Sequence, residues 1–174
     1  PGKRTILSVE DIQKSGATTV QEAVSRVTGV VWSNQVGNSR EQIIDFRGFN
    51  GSPVSSTSVF VAGVRVNDPE FGFINFDLIP LETIERIEII PSASATYGKN
   101  AMGGVINILT KRGAKERQMT GELASGSFGR QRYTFNTGGN VGENVDYYGS
   151  LSREREEGYR DESAARLSRG FAKL

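Results

Sequence analysis

Few residues in this sequence could do chemistry. It has no histidine and no cysteine. That removes the commonest general base, the usual partner of a nucleophile, the commonest zinc ligand and all thiol chemistry. Carboxylates remain, and Asp68, Glu70 and Asp77 are the acids that a glycosidase-like pair would draw on. Nothing in their spacing holds two of them a catalytic distance apart. Arg47 is a candidate of another kind, flanked by Phe46 and Phe49. An arginine among apolar neighbours in a strand is expected either to pair with a carboxylate of its own domain or to reach a surrounding wall. The cluster Glu85-Arg86-Glu88 reads as a solvated or internal ionic face. Lys and Arg total 21 against 20 Asp and Glu, a balance that argues against a surface built for nucleic acid.

The elements that must position these residues come in two styles. Over residues 1–113 the pattern is that of an α+β domain. Ser8-Val9-Glu10-Asp11 and Thr19-Val20-Gln21-Glu22 read as capping boxes opening short helices. Gly16 closes the first. Val20, Ala23, Val24 and Val27 form the apolar stripe of the second, which Gly29 is expected to close. Val30–Trp32, Gln42–Phe46, Ser58–Val61, Ile84–Ile90 and Val105–Leu109 read as strands. At the start of Ile84–Ile90 the spacing of isoleucines does not separate strand from helix. Gly48, Gly63, Gly98, Gly103 and Gly104 suit positive φ or close backbone contact.

From Met119 onward a period of two takes over. Tyr133, Phe135, Thr137, Gly139 and Val141 alternate with Arg132, Thr134, Asn136, Gly138 and Asn140, and Tyr147, Gly149 and Leu151 alternate with Tyr148, Ser150 and Ser152. Such strands have one greasy face. Tyr133, Phe135 and Val141 form the outward set, and Arg132, Asn136 and Asn140 the inward one. Residues 127–129 and 141–144 read as turns, and the charged stretch Glu154–Ser163 as an exposed loop. A soluble antiparallel sheet and the strands of a membrane barrel share this pattern, and no apolar run is long enough for a spanning helix.

Three blocks bear a resemblance to a known family. Asp45-Phe46-Arg47-Gly48-Phe49 is similar to the (I/F)-R-G-F signature of TonB-dependent receptor plugs. Val59-Phe60-Val61-Ala62-Gly63-Val64-Arg65-Val66-Asn67 resembles the strand-turn element V-L-V-D-G-V-P-V-N. Ile79-Pro80-Leu81-Glu82-Thr83-Ile84-Glu85-Arg86-Ile87-Glu88-Ile89 is the most specific block. It is completed by Ala95-Thr96-Tyr97-Gly98, Gly103-Gly104-Val105-Ile106-Asn107-Ile108 and Thr110-Lys111. The resemblance covers nearly all of residues 5–112. Two positions depart from the pattern. Ile90-Pro91-Ser92 replaces Arg-Gly-Pro, which puts a second plug arginine in doubt. Ala62 replaces Asp, which is expected to remove a turn-side hydrogen bond.

The resemblance implies an α+β plug domain with a small mixed sheet and short helices over residues 1–113. Antiparallel transmembrane β-barrel strands over 114–174 are expected to begin a barrel that continues beyond Leu174. It implies an outer-membrane receptor of a Gram-negative bacterium, not an enzyme, importing a scarce nutrient such as a ferric siderophore, haem or cobalamin. Implied partners are the inner-membrane TonB protein, outer-membrane lipid and an extracellular small molecule, with no nucleic acid, metal or cofactor. The TonB-contacting segment is expected before Pro1. Ligand would meet apical loops over 33–41, 49–57 and 67–76. There Asn34, Gln35, Asn38, Arg40, Asn50, Ser52, Asp68 and Glu70 offer polar contacts, and Phe71 and Phe73 flat apolar ones. Arg47 would be the latch between plug and barrel. The competing reading is a soluble α+β ligand-binding or signalling module without transport activity.

Overall fold

The computed structural model describes residues 4–27, 30–34, 42–46, 57–69, 74–90, 97–98, 101, 103–142 and 144–174, with the side chains of 31–34 and 42–46 outside that set. The described residues form two compact units, one reaching Thr110 and the other starting at Lys111.

The first unit opens with strand β1 (Thr5–Ser8), which passes directly into helix α1 (Val9–Ser15). Ser8 ends the strand and caps the helix. Its hydroxyl accepts from the Asp11 amide at 3.1 Å, and the Asp11 carboxylate accepts from the Ser8 amide at 3.0 Å. Both orphan donors are thereby satisfied. Gly16 stops the helix in the left-handed conformation, φ 67°. Helix α2 (Val20–Ser25) is capped by Thr19, whose hydroxyl accepts from the Glu22 amide at 3.2 Å. The Glu22 carboxylate reaches past the cap to accept from the amide and hydroxyl of Thr18. The helix ends at Ser25, earlier than its apolar stripe suggested. Val20, Ala23 and Val24 are buried, and Val27 packs on the same core from beyond the helix end.

Strands β2 (Val30–Asn34) and β3 (Gln42–Phe46) form an antiparallel pair. The main sheet contains β1, β4 (Thr57–Val61), β5 (Val64–Arg65), β6 (Ile84–Ile90) and β7 (Gly104–Thr110), in the order β1-β6-β7-β4-β5. It is mixed, since β4 runs parallel to β7 and the other neighbours are antiparallel. One face carries the core. Val59, Ile87, Ile89, Ile106 and Ile108 are fully buried there, against Ile12, Val20, Val24, Phe76 and Ile79.

The ambiguity at the start of Ile84–Ile90 has a structural cause. The register shifts between Ile84 and Arg86, so that Ile84 pairs with Thr110 and Arg86 with Leu109. Glu85 is the extra residue of a β-bulge, which resets the alternation. Ile84 therefore shares the core face with Ile87 and Ile89 despite an odd spacing.

The second unit is a meander of β8 (Gln118–Ser125), β9 (Gln131–Val141), β10 (Val145–Glu156) and β11 (Ala165–Lys173), each antiparallel to its neighbours. Its first hairpin lies where the alternation placed it. The expected loop Glu154–Ser163 requires correction. Residues 154–156 continue β10, and Glu154 and Glu156 are buried. Their charge is legible as a loop only until the strand's alternation is carried through it.

Candidate functional site

On the face of the main sheet opposite the core, β6 and β7 set Glu88 beside Asn107, and β1 sets Ile6 on the other flank of Glu88. The Glu88 carboxylate is almost fully buried. It accepts from Arg86 Nε at 3.0 Å, from Asn107 Nδ2 at 3.1 Å and from the Arg4 guanidinium. Burial pushes its pKa up. The hydrogen bonds from Arg86 and Asn107, together with the charges of Arg4 and Arg86, outweigh burial and hold it below the ordinary carboxylate range. The cluster Glu85-Arg86-Glu88 is thus an internal ionic network, with Glu85 pairing Arg86 at 3.1 Å from the exposed side.

The strand-turn block is equally structural. Val61 and Val64 pair across a two-residue turn in which Ala62 has φ 49° and Gly63 φ 84°. Two successive positive φ values define the turn that suits a right-twisted hairpin. Ala62 therefore carries backbone strain in addition to lacking a turn-side carboxylate. Beyond the turn the chain folds back along β4. The Val66 amide donates to the Val59 carbonyl at 3.0 Å. The buried Asn67 side chain then replaces a strand residue: it accepts from the Val59 amide and donates to the Thr57 carbonyl, each at 2.8 Å. Tyr97 packs against Phe60 with the rings tilted by 58° and 5.9 Å between centroids.

These positions correct the expected loop limits. Asn67 and Phe76 belong to the framework, Thr57 begins β4, and Ser33 and Asn34 end β2, Asn34 paired in register with Gln42. Asp68 is exposed immediately after Asn67. Asp77 lies in a 3-10 turn (Phe76–Leu78), and its amide donates to the Asn75 side chain that caps the turn. Gln35, Asn38, Arg40, Arg47, Asn50, Ser52, Glu70, Phe71 and Phe73 lie outside the described residues. Among the described residues no group of acids is arranged to hold a metal ion.

The meander of the second unit has two unlike faces. Cross-strand register puts Met119, Leu123, Tyr133, Phe135, Val141, Val145, Tyr147 and Leu151 on one of them. Tyr133, Phe135 and Leu151 are 51%, 43% and 65% exposed. The opposite face is polar. Glu154 is paired there with Arg130 at 2.7 Å and with Arg169 at 3.3 Å, and Arg169 also donates to Ser152. Arg132 meets Glu122 at 3.3 Å, and Arg112 forms a two-pronged pair with Asp146. Two tyrosines cover backbone where side chains are missing. Tyr147 lies over Gly139 on the apolar face, and Tyr148 over Gly138 on the polar face. Strands of 11 and 12 residues, β9 and β10, match the roughly 9–11 tilted residues that cross a bilayer. A soluble sheet would leave this apolar face uncovered, whereas a barrel wall places it in lipid.

A family model described as the TonB-dependent receptor plug domain matches residues 1–105. The vitamin B12 transporter BtuB of Vibrio cholerae is 32% identical over 155 residues, covering 88% of this chain and 25% of the transporter. The rhizobactin receptor of Rhizobium meliloti is 30% identical over 192 residues, covering 93% of this chain and 26% of the receptor. The chain thus spans about a quarter of the length of these relatives. Among solved structures, the ferric yersiniabactin uptake receptor FyuA from Yersinia pestis matches 98% of this chain and 28% of its own with a TM-score of 0.75 at 22% identity. The ferric citrate transporter FecA matches 96% of this chain and 27% of its own with a TM-score of 0.74 at 23% identity. At those identities the likeness is one of fold. With the plug model matched over most of the first unit, the chain belongs to the TonB-dependent receptor plug family of the Gram-negative outer membrane.

Proposed function

We propose that this chain is the plug and opening barrel wall of an active importer, with residues 1–113 as plug and 114–174 as the first wall strands. The carrying observation is that a plug fold continues directly into a two-faced meander of membrane-crossing length. The nutrient is a scarce small molecule, either a ferric chelate or a cobalamin. The names of the relatives, a vitamin B12 transporter and a rhizobactin receptor, support those two classes. A solute bound tightly enough to be captured when scarce dissociates slowly, so work must be supplied to release it inward. The inner-membrane TonB protein supplies that work.

Ligand is met by Asn34 at the end of β2 and by the apical loops, through Gln35, Asn38, Arg40, Asn50, Ser52, Asp68, Glu70, Phe71 and Phe73. Arg47 holds the plug against a carboxylate of the wall. Uptake of radiolabelled cobalamin and of ferric siderophores by cells carrying the full-length receptor tests this directly. Accumulation of one class that disappears when TonB is deleted is expected. Equal accumulation with and without the receptor would refute the proposal. Within the receptor, Arg40→Ala and Phe71→Ala should each weaken binding by about 1–3 kcal/mol. Arg47→Ala should loosen plug amides towards hydrogen exchange more than it lowers ligand affinity.

A further inference from the structure

The apolar face of the meander ends in a row of arginines. Reading across the strands in register, Leu123, Tyr133, Arg153 and Ser168 form one row, and Ser125, Gln131, Arg155 and Arg166 the next. All three arginines are exposed, on the same face as Tyr133, Phe135 and Leu151. Arg155 and Arg166 stand directly opposite one another. A like-charged pair in that position is destabilising unless an anion sits between its members. Arg153 and Arg166 have no ionic or hydrogen-bonding partner among the described residues. Arg155 meets only Glu157, at 3.4 Å, with both side chains more than half exposed. The nearby Glu154 is committed to Arg130 and Arg169 on the other face. A concavity of about 360 Å³ lies over the row, lined by Tyr133, Arg153, Arg155, Arg166 and Ser168 among others.

We propose that Arg153, Arg155 and Arg166 bind the phosphate headgroup of an outer-leaflet lipid whose chains lie along Tyr133, Phe135 and Leu151. This rests on the reading of the second unit as a barrel wall in lipid. Charge and position select the occupant together. A free phosphate would use the guanidinium groups alone, whereas a lipid bearing a phosphate also covers the apolar rows beginning about 7 Å further along the strands. The row lies at the strand ends joined by residues 126–130 and 157–164, while the opposite ends are joined by the shorter 142–144. Longer connections mark the extracellular end of such barrels, so the row belongs to the outer leaflet. Guanidinium groups are suited to the task because they present paired donors to phosphate oxygens.

The test is native mass spectrometry of the full-length receptor in detergent, titrated with short-chain phosphatidic acid. Short-chain phosphatidylcholine and inorganic phosphate serve as controls. Wild type should retain phosphatidic acid, and the Arg153→Gln/Arg155→Gln/Arg166→Gln variant should bind it on the order of 100-fold more weakly, at about fivefold per arginine near an anionic lipid. Heat-modified gel mobility confirms that the variant barrel is folded. If the triple variant does not fold, Arg166→Gln alone should lose about fivefold. Equal binding by wild type and folded variant would overturn the proposal, as would full displacement of the lipid by millimolar phosphate. The Phe135→Trp variant separates the two levels of failure. If it is quenched by brominated lipid while the arginine variants bind normally, the wall reading stands and the lipid site falls.

Discussion

Replacing Asn67 by alanine should unzip the outer edge of the plug sheet. The Asn67 side chain serves two backbone groups of β4, the Val59 amide and the Thr57 carbonyl, each at 2.8 Å. The residue is 7% exposed, so water does not readily replace it. Each buried backbone group left unpaired costs about 1–3 kcal/mol, giving on the order of 2–6 kcal/mol for the pair. Asn67→Asp should cost at least as much. It keeps an acceptor for the Val59 amide but turns a carboxylate towards the Thr57 carbonyl and buries a charge. Hydrogen exchange on the full-length receptor reads this locally. The Val59 amide should lose protection by a factor of about 30 or more, while amides of α1 change little. Unchanged protection at Val59 in both variants would refute the assignment of Asn67 to the framework.

Glu88 supplies a pH dependence. Its folded pKa lies below the ordinary value, so its contribution is present above the ordinary carboxylate pKa and is lost as pH falls through the folded one. Acidification should therefore release β1 amides before those of β7 in hydrogen exchange, and Arg4→Gln should move that release to higher pH. Ala62→Asn should stabilise the plug by about 0.5–1 kcal/mol in denaturant unfolding, since asparagine tolerates the left-handed φ that alanine resists; a loss of stability would contradict the turn geometry. A methyl group at Gly113 would run into the carbonyl oxygens of Gly139 and Tyr147. Neither backbone can yield cheaply, so Gly113→Ala should lower the yield of heat-resistant folded barrel, and a normal yield would contradict the packing.

Where one rule governs a residue, its position was legible in the sequence. The cap at Ser8 and the alternation of β9 needed only local chemistry. Ile84–Ile90 was legible as a strand, but its start was ambiguous, because a bulge at Glu85 breaks the period there. Strand β1 has no signature in the sequence, because four residues at a sheet edge carry too little pattern. Glu154 and Glu156 read as loop residues because of their charge; Glu154 is buried against Arg130 and Arg169, which a linear reading cannot bring to it. Asn67 fell at the start of an expected loop for the same reason: its partners lie eight and ten residues away, across a turn. The family motifs identified the plug, whereas the proposed ligand contacts Arg40 and Phe71 would depend on loop geometry that no motif encodes.

The central claim is that the second unit is a barrel wall with Tyr133, Phe135 and Leu151 in lipid. Tryptophan placed singly at Phe135 and at Asn136 of the full-length receptor, in bilayers of lipids brominated on their chains, tests it most directly. Phe135→Trp should be strongly quenched and Asn136→Trp little, because adjacent strand residues face opposite sides. Equal quenching at both positions, or stronger quenching at 136, would contradict the account.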